Sequence, residues 1–201
     1  MVKRSLMITV FTVLLSLMVI GVWTHYISRI EEPKYHVVTL NNNIEFRCYN
    51  SLTIAEVIIS GDRKSVINKG FRILADYIFG NNKSNTKIAM TAPVMQFHTS
   101  TIIKDNAWAI AFVMPNEYQY KNLPAPYNQE IKFKKIRAKK FLAIKFSGNA
   151  TDGSIKNNED KLFSYLGKNN FIVIFPAIYA FYNPPWTLPF LKRNEVIIEV
   201  E

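Results

Sequence analysis

Apolar positions change period along this chain, and each change marks an element. Residues 44–49 and 53–59 are short runs rich in β-forming side chains, as expected of strands. Over 63–79 the period lengthens. Ile67, Phe71, Leu74 and Ile78 recur at spacings of four, three and four, which predicts an amphipathic helix. Asp62 is placed to cap its start, and Gly80 to end it in a left-handed conformation. Strand patterns return at 88–97 and 108–114.

The same order then repeats. Strands are predicted at 130–137 and 141–147. A helix follows over 155–166, with Ile155, Leu162 and Leu166 on one face and Gly167 as its stop, and then strands at 171–181 and 195–200. Corresponding features, such as Ile44 and Glu130 or Trp108 and Asn194, lie about 86 residues apart. Two units of strand, strand, helix, strand, strand bury their apolar faces best by joining their sheets, each helix covering one face. The expected fold is a single α+β domain with a strongly curved or barrel-like antiparallel sheet. Each unit has a proline in the strand after its helix, Pro93 and Pro176. Because proline has no N–H for the ladder, both predict an edge or a bulge.

The first 30 residues stand apart from this pattern. Lys3 and Arg4 precede an uncharged run over 6–23, whose 18 residues would span roughly 27 Å as a helix, about the thickness of a bilayer's hydrocarbon core. The run ends at Trp23, with Tyr26 beyond it as a second interfacial aromatic, and lacks a paired small-residue cleavage site. It therefore reads as an uncleaved anchor more than as a signal peptide. The division expected is 1–30 as anchor and juxtamembrane segment and 31–201 as the folded domain. The positive-inside rule keeps Lys3 and Arg4 cytoplasmic and sends the domain to the other side, periplasmic in a bacterium. The Asn-, Ile- and Lys-rich composition suits a bacterium with an AT-rich genome.

Charge and candidate chemistry narrow the function by exclusion. The chain carries a formal charge of +10; without residues 1–30, which hold Lys3, Arg4, Arg29 and no acid, 22 basic and 15 acidic side chains remain. That excess suits an anionic ligand or surface. The basic run 132–140 alternates with Phe133, Ile136 and Ala138 like a half-buried strand, and nothing near it forms a nucleic-acid motif. Cys48 is the only cysteine, which excludes an intramolecular disulfide, a cysteine metal site and a redox pair. No nucleophile triad, paired-carboxylate motif, phosphate loop or His/Glu metal spacing appears, so binding is favoured over catalysis.

Several motifs together carry a resemblance: GFRILADYIFG at 70–80, KIAMTAPV at 87–94, VMP at 113–115 followed by LPAP at 123–126, and NPPWTLPFLKRNEV at 183–196. In this order, over residues 33–201, the chain resembles the SOUL haem-binding family. The resemblance implies a pseudo-symmetric, distorted β-barrel of two repeats with two flanking helices. It also implies binding of haem or another tetrapyrrole, without an established reaction. In the family the cleft lies between the first helix and the loop before the last strand, here 63–78 and 182–192.

A tetrapyrrole is a flat apolar disc with two propionates, and it needs an apolar cleft with one or two cations. Mapped onto this chain, the candidates are Arg63, Ile67, Phe71, Arg72 and Leu74 on the helix, and Tyr182, Trp186, Leu188, Phe190 and Lys192 on the loop. The plainer expectation is that Ile67, Phe71 and Leu74 form the helix's core face and that Trp186 caps the barrel. The histidines are His25, His36 and His98, none on the first helix, so no axial ligand is assigned. Two other readings stand beside haem: another apolar anionic small molecule in the same cleft, or an envelope domain whose basic strand meets an acidic protein.

Overall fold

The computed structural model describes residues 10–16, 18, 30–99 and 106–201. Contacts divide the chain into two units, Met1–Glu31 and Glu32–Glu201. In the first, residues 10–16 and 18 are helical. Most of the expected anchor, 6–23, lies outside the described residues. Among those described, no helix is long and apolar enough to cross a membrane.

The second unit is α+β. Its strands are β1 (Tyr35–Asn41), β2 (Ile44–Tyr49), β3 (Leu52–Ser60), β4 (Val94–His98), β5 (Ala107–Val113), β6 (Lys132–Ile136), β7 (Lys139–Phe146), β8 (Val173–Phe181) and β9 (Asn194–Val200). Helix α1 (Arg63–Ile78) separates β3 from β4, and α2 (Asp152–Lys168) separates β7 from β8. All strand pairings are antiparallel, in the order β1-β2-β7-β9-β8-β4-β5-β3-β6. Apart from β1, the order reads alike from both ends. The first strand of each repeat leaves its own half and pairs with the second strand of the other, β2 with β7 and β6 with β3.

That exchange rolls the sheet. Two residues, Asn50 and Ser51, join β2 to β3, which stand six places apart in the sheet. Arg137 and Ala138 likewise join β6 to β7, also six places apart. In a flat sheet six spacings would cover ~29 Å, whereas three Cα steps reach at most ~11 Å. Only a curled sheet satisfies both links. It is curled rather than a closed barrel, with β1 and β6 as its two ends. As an end strand, β6 exposes Lys132, Lys134 and Lys135, the charge pattern that discourages edge-to-edge pairing.

The helices cover the outer face. Ala55, Val57, Ile110 and Phe112 pack with Val66, Leu74, Tyr77 and Ile78 of α1, while Leu142, Ile144, Val196 and Ile198 pack with Ile155, Leu162 and Leu166 of α2. The alternate residues Ile54, Ala111 and Val113 face inward with Leu52, Met95, Phe97 and Ile136. β5 is covered on both sides, which explains its continuous apolar run AWAIAFV.

Local expectations fare unequally. Asp62 caps α1, accepting from the Lys64 N–H at 3.0 Å, and Gly80 follows the helix at φ +116°. The expected strand 88–97 is shorter than predicted: β4 starts at Val94, directly after the cis Ala92–Pro93 bond. Pro176 lies in β8, where pairing with β9 shifts register between Ile174 and Ile178. Gly167 is not a stop. It lies inside α2, and the positive φ of 55° falls on Asn170, one of the few non-glycine types that adopt it cheaply. The buried face of α1 is also turned from the one the spacing suggested. It runs through Val66, Gly70, Leu74, Tyr77 and Ile78, leaving Ile67 half-buried and Phe71 40% exposed, edge-on to Phe112.

Gly70 sets this rotation. A Cβ there would lie 2.8 Å from Cδ1 and 2.9 Å from Cγ1 of the fully buried Ile110. At Gly167 a Cβ would meet nothing within 4 Å. The same substitution is therefore expected to act with opposite sign. Gly70→Ala gains ~1 kcal/mol of helix propensity but loses more to overpacking, a net cost of about 1 kcal/mol or more; Gly167→Ala gains ~0.5–1 kcal/mol. Urea midpoints at constant slope measure both; a stabilised Gly70→Ala variant would refute the close approach.

Candidate functional site

The inward face of the curled sheet encloses a cavity of about 180 Å³. Its walls come from both halves: Leu52 and Ile54 of β3, Met95 and Phe97 of β4, Phe141 of β7, Ile174 and Ile178 of β8, and Ile197 of β9. Both short links reach its mouth, through Asn50 and Arg137, with Lys139 and Glu199 beside them. Lys139 pairs with Glu199 at 2.6 Å. Arg137 is exposed, with no ion-pair partner among the described residues.

A buried charge network lies under one wall. Arg47 on β2 is wholly enclosed and gives Nη1 and Nη2 to the Glu195 carboxylate at 2.7 and 3.0 Å, and Nε to Glu45 at 2.7 Å. Arg193 donates Nε to Glu195 at 2.9 Å and lies 3.7 Å over the Tyr182 ring, while the Tyr182 O–H donates to Glu195 at 2.9 Å. Arg47 also donates to the Tyr49 hydroxyl at 2.9 Å. Burial alone would raise the Glu195 pKa. The hydrogen bond and charge of Arg47, joined by Arg193, outweigh it and hold the carboxyl below its ordinary value. Burial pushes Tyr182 well up, with Glu195 adding to the rise.

The residues expected to bind ligand are dispersed. Leu74 is fully buried in the core and supports α1 rather than offering a ligand surface. Tyr182 lines the inner cavity and is tied to Glu195. Arg63 gives Nη1 to Asp152 at 2.6 Å and Nη2 to Gln96 at 2.9 Å, with the Trp108, Tyr179 and Phe181 rings within 6 Å of its guanidinium carbon. It joins the starts of the two helices. Ile67, Phe71 and Arg72 remain at the open side of α1, the last two exposed.

The loop 182–192 is fixed at its backbone and apolar at its tip. The Gly148 N–H donates to the Pro189 carbonyl at 2.9 Å, Lys192 Nζ donates to Asn149 Oδ1 at 3.1 Å, and the Arg193 N–H donates to Asn183 Oδ1 at 2.6 Å. Trp186, Leu188 and Phe190 are nevertheless 70%, 56% and 71% exposed, so Trp186 caps nothing. Asn149, just before α2, holds the loop, and Asp152, its first residue, holds Arg63, so the loop and the start of α1 both meet the start of α2. The inner cavity and its charge network had no motif to announce them. Their one sequence signal is Glu45, Arg47 and Glu195 occupying strand positions that otherwise face a core.

Among the described residues the histidines stand apart from α1 and the loop. His36 is exposed on β1, and His98, at the end of β4, shares a hydrogen bond with Asn106 at 3.0 Å; neither belongs to α1 or the loop. His25 lies outside the described residues. Among the described residues no group of three or more His, Cys, Asp and Glu is placed to hold a metal ion.

The chain is thus of the α+β class, with a curled antiparallel sheet of two interlocked halves and an exposed apolar loop before its last strand. The SOUL heme-binding protein family matches residues 30–199, and the chain belongs to that family. No curated protein matches the chain. Similar solved structures include the EcmrR C-terminal domain, with 14% identity, a TM-score of 0.61 and coverage of 83% of this chain and 98% of that one. An uncharacterized conserved protein from Listeria innocua has 10% identity, a TM-score of 0.62 and coverage of 80% and 93%. A hydrolase from Listeria innocua has 9% identity, a TM-score of 0.55 and coverage of 82% and 94%. At these identities the likeness concerns the fold alone.

The network yields a pH prediction. The folded-state pKa of Glu195 is lowered, so its contribution is complete above the ordinary glutamate range and is lost as pH falls below about 4.5. Glu195→Gln, which leaves the wholly buried Arg47 with Glu45 alone as its carboxylate partner, is expected to cost ~3 kcal/mol at pH 7 and less at pH 3. Urea unfolding at the two pH values measures this. An equal cost at both would mean that the pair contributes nothing electrostatic.

Proposed function

We propose that the protein binds a tetrapyrrole, haem or a close relative, on the outer surface formed by the loop 182–192 and the open side of α1. The observation that carries this reading is the loop itself. Trp186, Leu188 and Phe190 are apolar, exposed and held on a pinned backbone, an arrangement that costs solvation unless a partner covers it. Ile67 and Phe71 extend the apolar surface, with Arg72 and Lys192 as cations for propionates. Arg63 and Tyr182 support the surface from beneath, and Leu74 seats the helix.

Size separates this surface from the inner cavity. At about 180 Å³ the cavity is below the ~300–1,000 Å³ of pockets that enclose drug-sized ligands, and a tetrapyrrole is larger than most of these. An open surface accepts a disc that the cavity would not enclose. With no histidine on the loop or α1, recognition falls on the porphyrin's apolar face and propionates, and iron-free protoporphyrin is expected to bind about as tightly as haem. The reading is of binding rather than turnover. The segment 6–23 would hold the domain at a membrane, on its non-cytoplasmic side. Alkaline carbonate washing should then leave the full-length chain in the pellet; release of a species starting near Val22 would contradict this.

Leu188→Asp places a carboxylate against an apolar dianion and is expected to weaken haem binding by ~2 kcal/mol or more, about 30-fold. Arg72→Glu should cost ~1 kcal/mol, about fivefold, as for an exposed contact. Lys135→Glu on β6 should change affinity less than twofold. Haem titrations of folded variants measure all three. A large loss confined to Lys135→Glu would show that binding is nonspecific attraction to the basic edge.

A further inference from the structure

The inner cavity is too small for the proposed tetrapyrrole, yet it has the features of a binding site. It is lined by both halves and almost wholly apolar, and its charged liners lie in or beside the second short link, which the exposed Arg137 marks as the mouth. Three charged side chains reach that mouth: Arg137, Lys139 and Glu199. Lys139 and Glu199 neutralise one another at 2.6 Å, which leaves the exposed Arg137 as the uncompensated charge. Tyr49 stands beside them, next to Asn50 in the first link. Its hydroxyl accepts from Arg47 and donates to no acceptor among the described residues. Burial pushes Tyr49 up to about 12 despite the lowering effect of Arg47, so the hydroxyl keeps a proton to donate. An apolar pocket whose mouth offers one unpaired guanidinium and one O–H donor is complementary to an apolar body ending in an acceptor-only anion.

We propose that this cavity is a second ligand site, separate from the tetrapyrrole surface, for a small aryl or short acyl carboxylate. The apolar body lies among Ile54, Met95, Phe97, Ile178 and Ile197, and the carboxylate meets Arg137 and the Tyr49 hydroxyl at the mouth. The Glu45, Arg47 and Glu195 charges behind Tyr49 are satisfied within their own network, so they add no second demand for a counter-ion. A cationic ligand would face Arg137 with no free carboxylate to offset it. The site lies on the inner face, away from α1 and its packing, and does not depend on whether the loop 182–192 binds a tetrapyrrole.

The test uses the whole protein and three probes of one shape: 2-naphthoate, 2-naphthalenemethanol and 2-naphthylmethylammonium, with binding followed by calorimetry. The carboxylate is expected to bind at least tenfold more tightly than the ammonium, and Arg137→Ala to weaken the carboxylate about fivefold while leaving the alcohol unchanged. Leu52→Trp and Ile178→Trp, two independent ways of filling the cavity from half-buried positions, should each weaken naphthoate at least tenfold and leave protoporphyrin binding within twofold of the parent. Failure of protoporphyrin to bind any form would remove the tetrapyrrole reading and leave this one standing. Absence of naphthoate binding, equal affinity for the three probes, an affinity unmoved in a folded filled variant, or competition between naphthoate and protoporphyrin for one site would overturn the proposal.

Discussion

Two pairs of residues, Asn50 with Ser51 and Arg137 with Ala138, impose the constraint on which the rest of the domain depends. Each is a link too short to cross a flat sheet, yet each joins strands six places apart. The sheet therefore rolls, and rolling creates two unlike faces. The outer face is convex and takes the two helices. The inner face is concave and brings side chains of β3, β4, β7, β8 and β9 around one cavity. The links themselves become its mouth. Because the strand exchange ties each repeat to the other, neither half has a complete sheet alone, and the domain behaves as one unit despite its internal repetition.

Rolling also sets the electrostatics. An inner face closed on itself removes Arg47 and Glu195 from water, and such charges persist only if each is paired and hydrogen-bonded. Here the Glu195 carboxylate accepts from three side chains, Arg47, Arg193 and Tyr182. The network joins β2, from the first repeat, to β9, at the end of the second. It thus reports whether the exchanged strand is in place, and it keeps the cavity's own wall from demanding a counter-ion. The outer loop follows the opposite logic. Its backbone is hydrogen-bonded to the turn before α2, but its large apolar side chains are left to solvent.

Much of this was legible in the sequence because periodicity reports burial directly. The order of elements, both helices and the place of the loop follow from spacing and motifs. The misses have physical causes. Spacing points to a different α1 face because Gly70 contributes no hydrophobicity to a periodic count, although it lies against Ile110 of β5. Gly167 reads as a helix end because glycine usually supplies the left-handed residue, whereas Asn170 does so here. The sheet's strand order is not readable, since the pairing of β2 with β7 and of β6 with β3 joins residues far apart in the chain, such as Ile44 with Ile144 and Leu52 with Ile136, and leaves no local trace. The inner cavity was invisible for the same reason. Its lining residues are ordinary strand hydrophobes that only the roll brings together.

The central claim is a division of labour, with a tetrapyrrole outside on the loop and nothing of that size inside the roll. Amide chemical shifts of the labelled protein titrated with diamagnetic zinc protoporphyrin test it most directly. The account predicts that the shifts concentrate in 183–192 and along the open side of α1 around 67–72, with 95–97 and 174–178 unmoved. Shifts centred on those two inner segments, or spread along the basic strand 132–136, would contradict it.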